Sequence, residues 1–597
     1  RMTKTVSNED SSPPVPRSSL AAAAVRAAGL CLAGCAVLAL TACDRRDGDS
    51  PATASVAPAT GPAADDVSSV APANEIEPER LAAHVRRLAS DEFGGRGVAT
   101  PGEDLTVEYI AAGFRSAGLE PAFGDSYFQP VPLVETVTEP ESGLVVEGGG
   151  QALRFDAPAD VVAWSKRLSP VARLDASELV FAGYGIVAPE YGWDDYAGLD
   201  VRGKTVIVLI NDPGYATGDP TLFNGRAMTY YGRWSYKFEE AARQGAQGAL
   251  IVHQTAPAAY PWSVVVNSWT GPQFDLRRPD GNVGRAEVEG WISEGAAREI
   301  LGRAGQDLVG LGGAAATPGF RGMPLELRAS IALRNTQRDV VSRNVVGWLP
   351  GSVRPGETIL FSAHWDHLGT DPELDGDQIY NGAADNATGV AALMEQARVA
   401  AAAPRAPRSL VFAAFTAEEP GLHGSLYFAE SGPFELARMV AVLNTDRMNY
   451  LGPARDVQVR GYGASELDDY LRAAAAAQDR ILVPEAFPER GLYYRSDQFS
   501  FARYGVPGLH VRSGIDYRER GRAWGAARED EYVDRLYHKP GDEYRDDWDL
   551  RGAAEDAALY LAVARALAIE RRFPAWSAGS EFRAIRERSA GARAGAP

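Results

Sequence analysis

Six side chains of this polypeptide could share one reaction: His364, Asp385, Glu418, Glu419, Asp446 and His538. The apolar run Thr358-Ile359-Leu360-Phe361 leads into Ser362-Ala363-His364-Trp365-Asp366-His367, so an imidazole falls at a strand end with a carboxylate two residues on. Imidazole is the commonest protein metal ligand, and a nearby carboxylate such as Asp366 is its usual orienting group. Asp385 stands in the glycine-containing stretch Tyr380-Asn381-Gly382-Ala383-Ala384-Asp385-Asn386, just before a helix start. Glu418 and Glu419 follow the apolar run Leu410 to Phe415, and Asp446 follows Met439 to Asn444. Two imidazoles and three carboxylates suit two zinc ions that share one carboxylate and leave positions for water. Cobalt or manganese would accept the same donors. A metal pair can clamp both an attacking water and the oxygen of the bond being broken. One acid of the Glu418-Glu419 pair then remains to carry protons.

Such a set needs a frame that gathers distant residues. From Asn344 on, apolar runs and helical patterns alternate: strands at 358–363, 409–415 and 439–444, helices at 388–403 and 467–478. That alternation predicts an α/β sheet with helices on its faces, in which ligands lie beyond the carboxyl ends of the strands. Upstream, Thr100-Pro101-Gly102-Glu103 reads as a capping box, with Val107, Ile110, Ala111, Phe114 and Ala117 at helical spacing and Gly118 as the stop. Between these parts the texture turns β-rich. Strands are expected at 179–187, 205–210 and 249–253, with a helix over 236–244. The group Tyr230-Tyr231-Gly232-Arg233-Trp234 there could line a substrate channel or pack the core of a small domain.

Taken in order, His364-x-Asp366, Asn381-Gly382-x-x-Asp385-Asn386-x-x-Gly389, Glu418-Glu419-x-Gly421, Asp446 and His538-x-Pro540 resemble the di-zinc peptidases that include bacterial leucyl aminopeptidase, glutamate carboxypeptidase and transferrin receptor. The inserted stretch is similar to the protease-associated domain of those relatives, notably at Phe181-Ala182-Gly183-Tyr184-Gly185 and Asp195-Tyr196. The resemblance implies a mixed central sheet flanked by helices, of the zinc-exopeptidase (phosphorylase/hydrolase-like) kind. It implies that His364 and Asp446 hold one zinc, Glu419 and His538 the other, and that Asp385 bridges them. Glu418 would be the general base, Asp366 would orient His364, and Tyr493 or Tyr494 would steady the oxyanion. One departure is visible: relatives often read Ser-Asp-His where this chain reads Ser496-Asp497-Gln498, which bears on the pocket rather than on the ligands.

Composition sets the outer limits. At 597 residues the chain exceeds what one core usually serves, and 45% apolar with 23% charged residues is globular usage. A formal charge of -19 disfavours a nucleic-acid partner. Arg17 and Arg26 flank an apolar stretch that ends in Leu40-Thr41-Ala42-Cys43 and gives way to Asp44-Arg45-Arg46-Asp47, the layout of an export signal. The ending resembles a lipoprotein signal in which Cys43 is lipidated and becomes the mature amino terminus; an uncleaved anchor helix is the other reading. All three cysteines, Cys31, Cys35 and Cys43, lie in this leader, which excludes a catalytic thiol and disulfides from the body.

The expected organisation is a signal peptide at 1–43, a flexible tether at 44–75, a discontinuous peptidase domain at 76–130 and 340–572, an inserted protease-associated region at 131–339 and an irregular tail at 573–597. The expected activity is that of an exported, membrane-anchored di-zinc exopeptidase, an aminopeptidase acting on peptides, with no obligate protein partner evident. A carboxypeptidase or other amidohydrolase on the same metals, and a non-catalytic receptor-like binding protein, are the competing readings.

Overall fold

The structure is a computed structural model and describes residues 75–594. The leader with Cys43, and the tether before Glu75, lie outside the described residues. Two helices, Pro78–Leu88 and Pro101–Ala117, each begin with proline, whose fixed φ suits a first helical position, and the second stops at Gly118 in a left-handed turn. The capping box expected at Thr100 is altered. The Thr100 hydroxyl donates to Gly97 O at 2.7 Å, while the buried Glu103 carboxylate accepts from Ala99 N at 2.7 Å and from the Ser342 hydroxyl at 2.9 Å. A tertiary partner for Glu103 displaces the local pattern.

Among the described residues, eight strands form the sheet of the peptidase half. Their spatial order is Glu120–Pro121, Met323–Leu349, Arg408–Phe415, Arg354–His364, Met439–Asn444, Gly508–Ser513, Asp456–Arg460 and Ile481–Pro484. Arg408–Phe415, Arg354–His364, Met439–Asn444 and Gly508–Ser513 run parallel, and antiparallel neighbours on both sides make the sheet mixed. Every residue of Arg408–Phe415 and of Met439–Asn444 is buried, because helices cover both faces. One core joins these strands to the helices Pro101–Ala117, Thr388–Ala402 and Arg551–Ile569. In register, His364 lies opposite Phe415 and Ser362 opposite Asn444. The residues just past Phe415 and Asn444 therefore collect at the level of His364.

The inserted half is a smaller α/β body with apolar clusters of its own. Val171–Phe181, Thr205–Leu209, Gly248–Val252 and Val288–Ile292 are successive parallel neighbours, with Val161–Trp164 antiparallel at the edge. The strand expected at 179–187 stops at Phe181, since Gly183 and Gly185 take φ of 57° and 63° and turn the chain. The buried Asp195 carboxylate holds that turn by accepting from Tyr184 N at 3.1 Å and Ile186 N at 3.0 Å. The strand Met323–Leu349 belongs to both halves: it pairs with Val171–Phe181 at one end, with Phe128–Pro140 along its middle and with Arg408–Phe415 at the other.

The region after 572 is not an irregular tail. It contains the helix Arg583–Arg588 and straps the two halves together. Glu581 Oε1 accepts from Tyr230 N of the inserted body at 2.9 Å and from the Tyr494 hydroxyl of the peptidase half at 3.0 Å. Trp576 Nε1 donates to Gly505 O at 2.9 Å, and Arg586 donates to Met439 O at 3.0 Å. Among the described residues, no helix is long and apolar enough to cross a membrane.

Candidate metal centre

His364 ends its strand with its ring almost fully buried. Its Nε2 lies 3.3 Å from Asp385 Oδ1 and 3.8 Å from Asp446 Oδ1. On the other side, His538 Nε2 lies 3.6 Å from Asp385 Oδ2 and 3.0 Å from Glu419 Oε2. The two oxygens of Asp385 thus face different imidazoles. His364, Asp385 and Asp446 could hold one ion. Glu419 and Asp385 could hold a second, with His538 or His367 as the nitrogen donor. His538 sits at φ 55° and Ala417, beside Glu418, at φ 51°, a left-handed backbone that non-glycine residues rarely adopt.

His367, three residues beyond His364, is 3% exposed, and its Nδ1–H donates to Glu419 Oε1 at 2.6 Å. Its Nε2 is buried without a hydrogen-bond partner. Asp366 also differs from expectation. The atom next to His364 Nδ1 is the Asp366 carbonyl oxygen at 3.1 Å, with the nearer carboxylate oxygen at 3.9 Å. The carboxylate is occupied elsewhere: it accepts from Glu418 N at 3.0 Å and Glu419 N at 3.3 Å, so Asp366 holds the loop of the acid pair in place.

The donor set fits a pair of divalent cations. Asp385, Glu418, Glu419 and Asp446 converge with their side chains largely buried, and bound cations would relieve the repulsion among such like charges. Burial pushes Glu418 well above the usual carboxylate range, Glu419, Asp446 and Asp497 adding to it while His364 opposes. Burial also pushes against Glu419, but His538 and His367 hold it down to about 2. Asp385 and Asp446 are likewise held low by the imidazoles in spite of burial. The four acids are therefore split: three are kept as anions by positive neighbours, and Glu418 alone favours its proton.

Three supports escaped the sequence. Asp542 accepts from Ala384 N and Asp385 N, each at 3.0 Å, and so fixes the backbone of the central carboxylate. Asn386 donates to Thr445 O at 3.1 Å and to His364 O at 3.4 Å and accepts from Gly389 N and Arg447 N, tying two strand ends to one helix start. Arg96 is fully buried and donates to Trp365 O, Leu88 O, Asn381 O and Gly382 O at 2.6–2.9 Å. Only its contacts reveal it, because three of its four partners are carbonyls far off in sequence.

The tyrosines expected at the oxyanion are not free to serve there. Tyr493 is buried and its hydroxyl donates to Gly508 O at 3.2 Å, and the Tyr494 hydroxyl is taken by Glu581. Gln498 binds Asn444 Nδ2 through Oε1 at 3.0 Å. That same amide donates to Ser496, whose hydroxyl donates to Asp446 Oδ2 at 2.8 Å. Gln498 thus supports a metal-site acid through Asn444 and Ser496. The centre opens into a cavity of 2290 Å³ walled by both halves, with Trp234, Tyr260 and Trp269 of the inserted body facing it.

The chain matches the family description Peptidase family M28 over residues 344–562. It is 24% identical over 508 residues to the "Probable lipoprotein aminopeptidase LpqL" of Mycobacterium tuberculosis (strain ATCC 25618 / H37Rv), covering 81% of this chain and 83% of that protein. It is 37% identical over 103 residues to a "Probable zinc metalloprotease" of Pyricularia oryzae, covering 17% of this chain and 20% of that protein. Among solved structures, the aminopeptidase from Aneurinibacillus sp. strain AM-1 superposes with a TM-score of 0.44 at 18% identity, covering 82% of this chain and 94% of that one. The residues His364, Asp385, Glu418, Glu419, Asp446 and His538 all fall within the matched segment. Residues 344–562 of this chain are a match to Peptidase family M28.

Proposed function

We propose that this metallopeptidase is a zinc aminopeptidase that removes amino-terminal residues from peptides at a two-metal centre. The observation that carries the reading is the placement of Asp385, one oxygen toward His364 and the other toward His538, with the acid pair Glu418-Glu419 alongside. The names of the relatives, a lipoprotein aminopeptidase and a zinc metalloprotease, support it. His364 and Asp446 would hold one ion, Glu419 and His538 the other, and Asp385 both. When bound, the ions supply Lewis acidity that polarises the scissile carbonyl and lowers the pKa of water. Glu418 takes the proton of the attacking water as its oxygen adds to the carbonyl carbon. It then returns that proton to the amine as the C–N bond breaks. Its high proton affinity suits the second half of that cycle, and Asp366 keeps it on station through the Glu418 backbone.

The inserted body would act as a protease-associated domain that narrows access and favours short, unstructured peptides. Export and lipidation at Cys43 rest on the leader sequence and on the relative named as a lipoprotein. The test combines metal analysis with turnover of leucine anilide and of an acyl-capped peptide bearing a free carboxylate. The expected result is two zinc ions per chain, cleavage of the anilide alone, and a fall of about a hundredfold or more in kcat for Glu418→Gln with metal content retained. Cleavage of the capped peptide instead would make the enzyme a carboxypeptidase. Absence of bound metal, or unchanged turnover in Glu418→Gln, would defeat the enzyme reading.

A further inference from the structure

Glu418 stands in a tight loop from Thr416 to Gly424, whose second limb holds the first through the backbone. Gly421 N and Leu422 N both donate to Glu418 O at 2.9 Å, His423 N donates to Ala417 O at 2.9 Å, and Gly424 N to Thr416 O at 3.0 Å. Asp366 takes the amides of Glu418 and Glu419. Asp366 belongs to the peptidase half. The anchor of the second limb does not.

His423, the first residue of the helix His423–Ser431, is 4% exposed. Its Nε2 lies 2.9 Å from Phe274 O, in the strand Pro272–Leu276 of the inserted stretch. A carbonyl oxygen only accepts, so Nε2 carries the proton and donates it. Nδ1 is buried without a hydrogen-bond partner. An oxygen of Asp275 stands 3.8 Å from it, but that carboxylate is paired with Lys166 at 2.9 Å. The bond to Phe274 O is thus what ties the ring to the inserted strand.

Packing follows the same path. Ala417, at φ 51° directly before Glu418, is fully buried in an apolar cluster that includes Leu276 of the inserted strand. Phe274, together with Leu426 and Tyr427 of the helix that His423 begins, packs against that cluster. Arg278, two residues past the strand, pairs with Glu430 of the same helix at 2.9 Å. The strand is itself fixed, for it pairs antiparallel with Phe128–Pro140, Phe274 lying opposite Glu135. Contacts therefore run without a break from the inserted stretch to the backbone of Glu418.

We propose that His423 is a positioning residue through which the inserted strand Pro272–Leu276 sets the loop of Glu418 and Glu419. Its backbone N–H holds Ala417 while its ring holds Phe274, so the place of the strand is passed on to the residue before Glu418. The inserted half then does more than narrow the cleft. Its docking is part of what aims the proton carrier, and misplacing such a group by about 1 Å costs on the order of a hundredfold in rate. This inference rests on the reading of Glu418 as general base given above.

The test compares His423→Ala, His423→Asn and His423→Gln with the parent, all zinc-loaded and checked for metal content. Glutamine can place an amide nitrogen where Nε2 lies, and asparagine, one carbon shorter, cannot. For leucine anilide, kcat should fall about 10–100-fold in the alanine and asparagine variants with KM within about twofold of the parent, and glutamine should restore most of it. Hydrogen exchange reads the same link without turnover. Amides of residues 416–424 should exchange faster in the alanine and asparagine variants and at the parental rate in the glutamine variant, with the strand Arg408–Phe415 unchanged in all three. An unaltered kcat in both the alanine and asparagine variants, or a glutamine variant no better than asparagine, overturns the proposal. Exchange that quickens equally in Arg408–Phe415 also overturns it, since the role would then be general stability. Failure of the parent to turn over leucine anilide would instead defeat the aminopeptidase reading, with the exchange comparison still judging His423.

Discussion

The Asp542 carboxylate accepts the backbone N–H of Asp385 at 3.0 Å, so the residue four places after His538 holds the acid that lies between the two imidazoles. One imidazole and the central carboxylate are therefore positioned as a unit. Asp542→Asn turns one acceptor oxygen into an amide donor facing a backbone N–H. Zinc retention should fall on the order of 10–100-fold, read by competition with a chelator, with kcat falling alongside. Unchanged retention would mean that the Asp385 loop holds itself.

His367 and His538 approach opposite oxygens of Glu419, at 2.6 and 3.0 Å, and substitution will tell donor from support. His538→Ala should leave the protein with one bound metal instead of two. His367→Phe should keep two but release one at a lower chelator concentration. Elemental analysis across a chelator series reads both outcomes, and the reverse pattern would make His367 the metal donor.

Gly382 carries the turn before Asp385 at φ 55°. A Cβ there would lie 2.3 Å from Asp385 O and 2.6 Å from the His367 ring. Gly382→Ala should cost about 2–4 kcal/mol of stability, since the backbone cannot yield without moving the central carboxylate. Tm and metal content should fall together; a loss of Tm with metal affinity intact would show that the strain is relieved elsewhere.

Glu395 gives a pH signature remote from the metals. Burial raises its pKa, but His84, Arg398 and Arg80 outweigh that and hold it down to about 2 against an ordinary 4.5. A carboxylate depressed in the folded state stabilises above its unfolded pKa, and that stability is lost as pH falls through the folded value. Glu395→Gln should therefore cost on the order of 3 kcal/mol at neutral pH. The gap between variant and parent should begin to close below about pH 4.5 and vanish toward about pH 2. Denaturant midpoints across that range measure it, and a gap that stays constant with pH would deny the ionic contribution.

What could be read ahead of the fold followed from strand ends. His364, Glu418 and Asp446 each come directly after an apolar run, and a parallel sheet buried on both faces has only such runs to offer. The supports were hidden for a physical reason. Asp542 serves backbone N–H groups 157 and 158 residues away, and Arg96 serves carbonyls up to 286 away. A main-chain partner leaves no side-chain pattern in the sequence. Asp366 was recognised as important but given the wrong partner, because spacing shows that a carboxylate is near an imidazole and not which of its oxygens does the work. Glu103 and the 179–187 segment failed where tertiary contacts or glycine turns outrank local propensity. The tail was misread because its anchors, Trp576, Glu581 and Arg586, are scattered singly among polar residues.

One carboxylate oxygen of Glu581 binds both the inserted body, at Tyr230 N, and the peptidase half, at the Tyr494 hydroxyl. A change at Glu581 would therefore alter how the two walls of the cleft stand to one another without touching a metal donor, so the size of peptide admitted could drift while the chemistry stays intact.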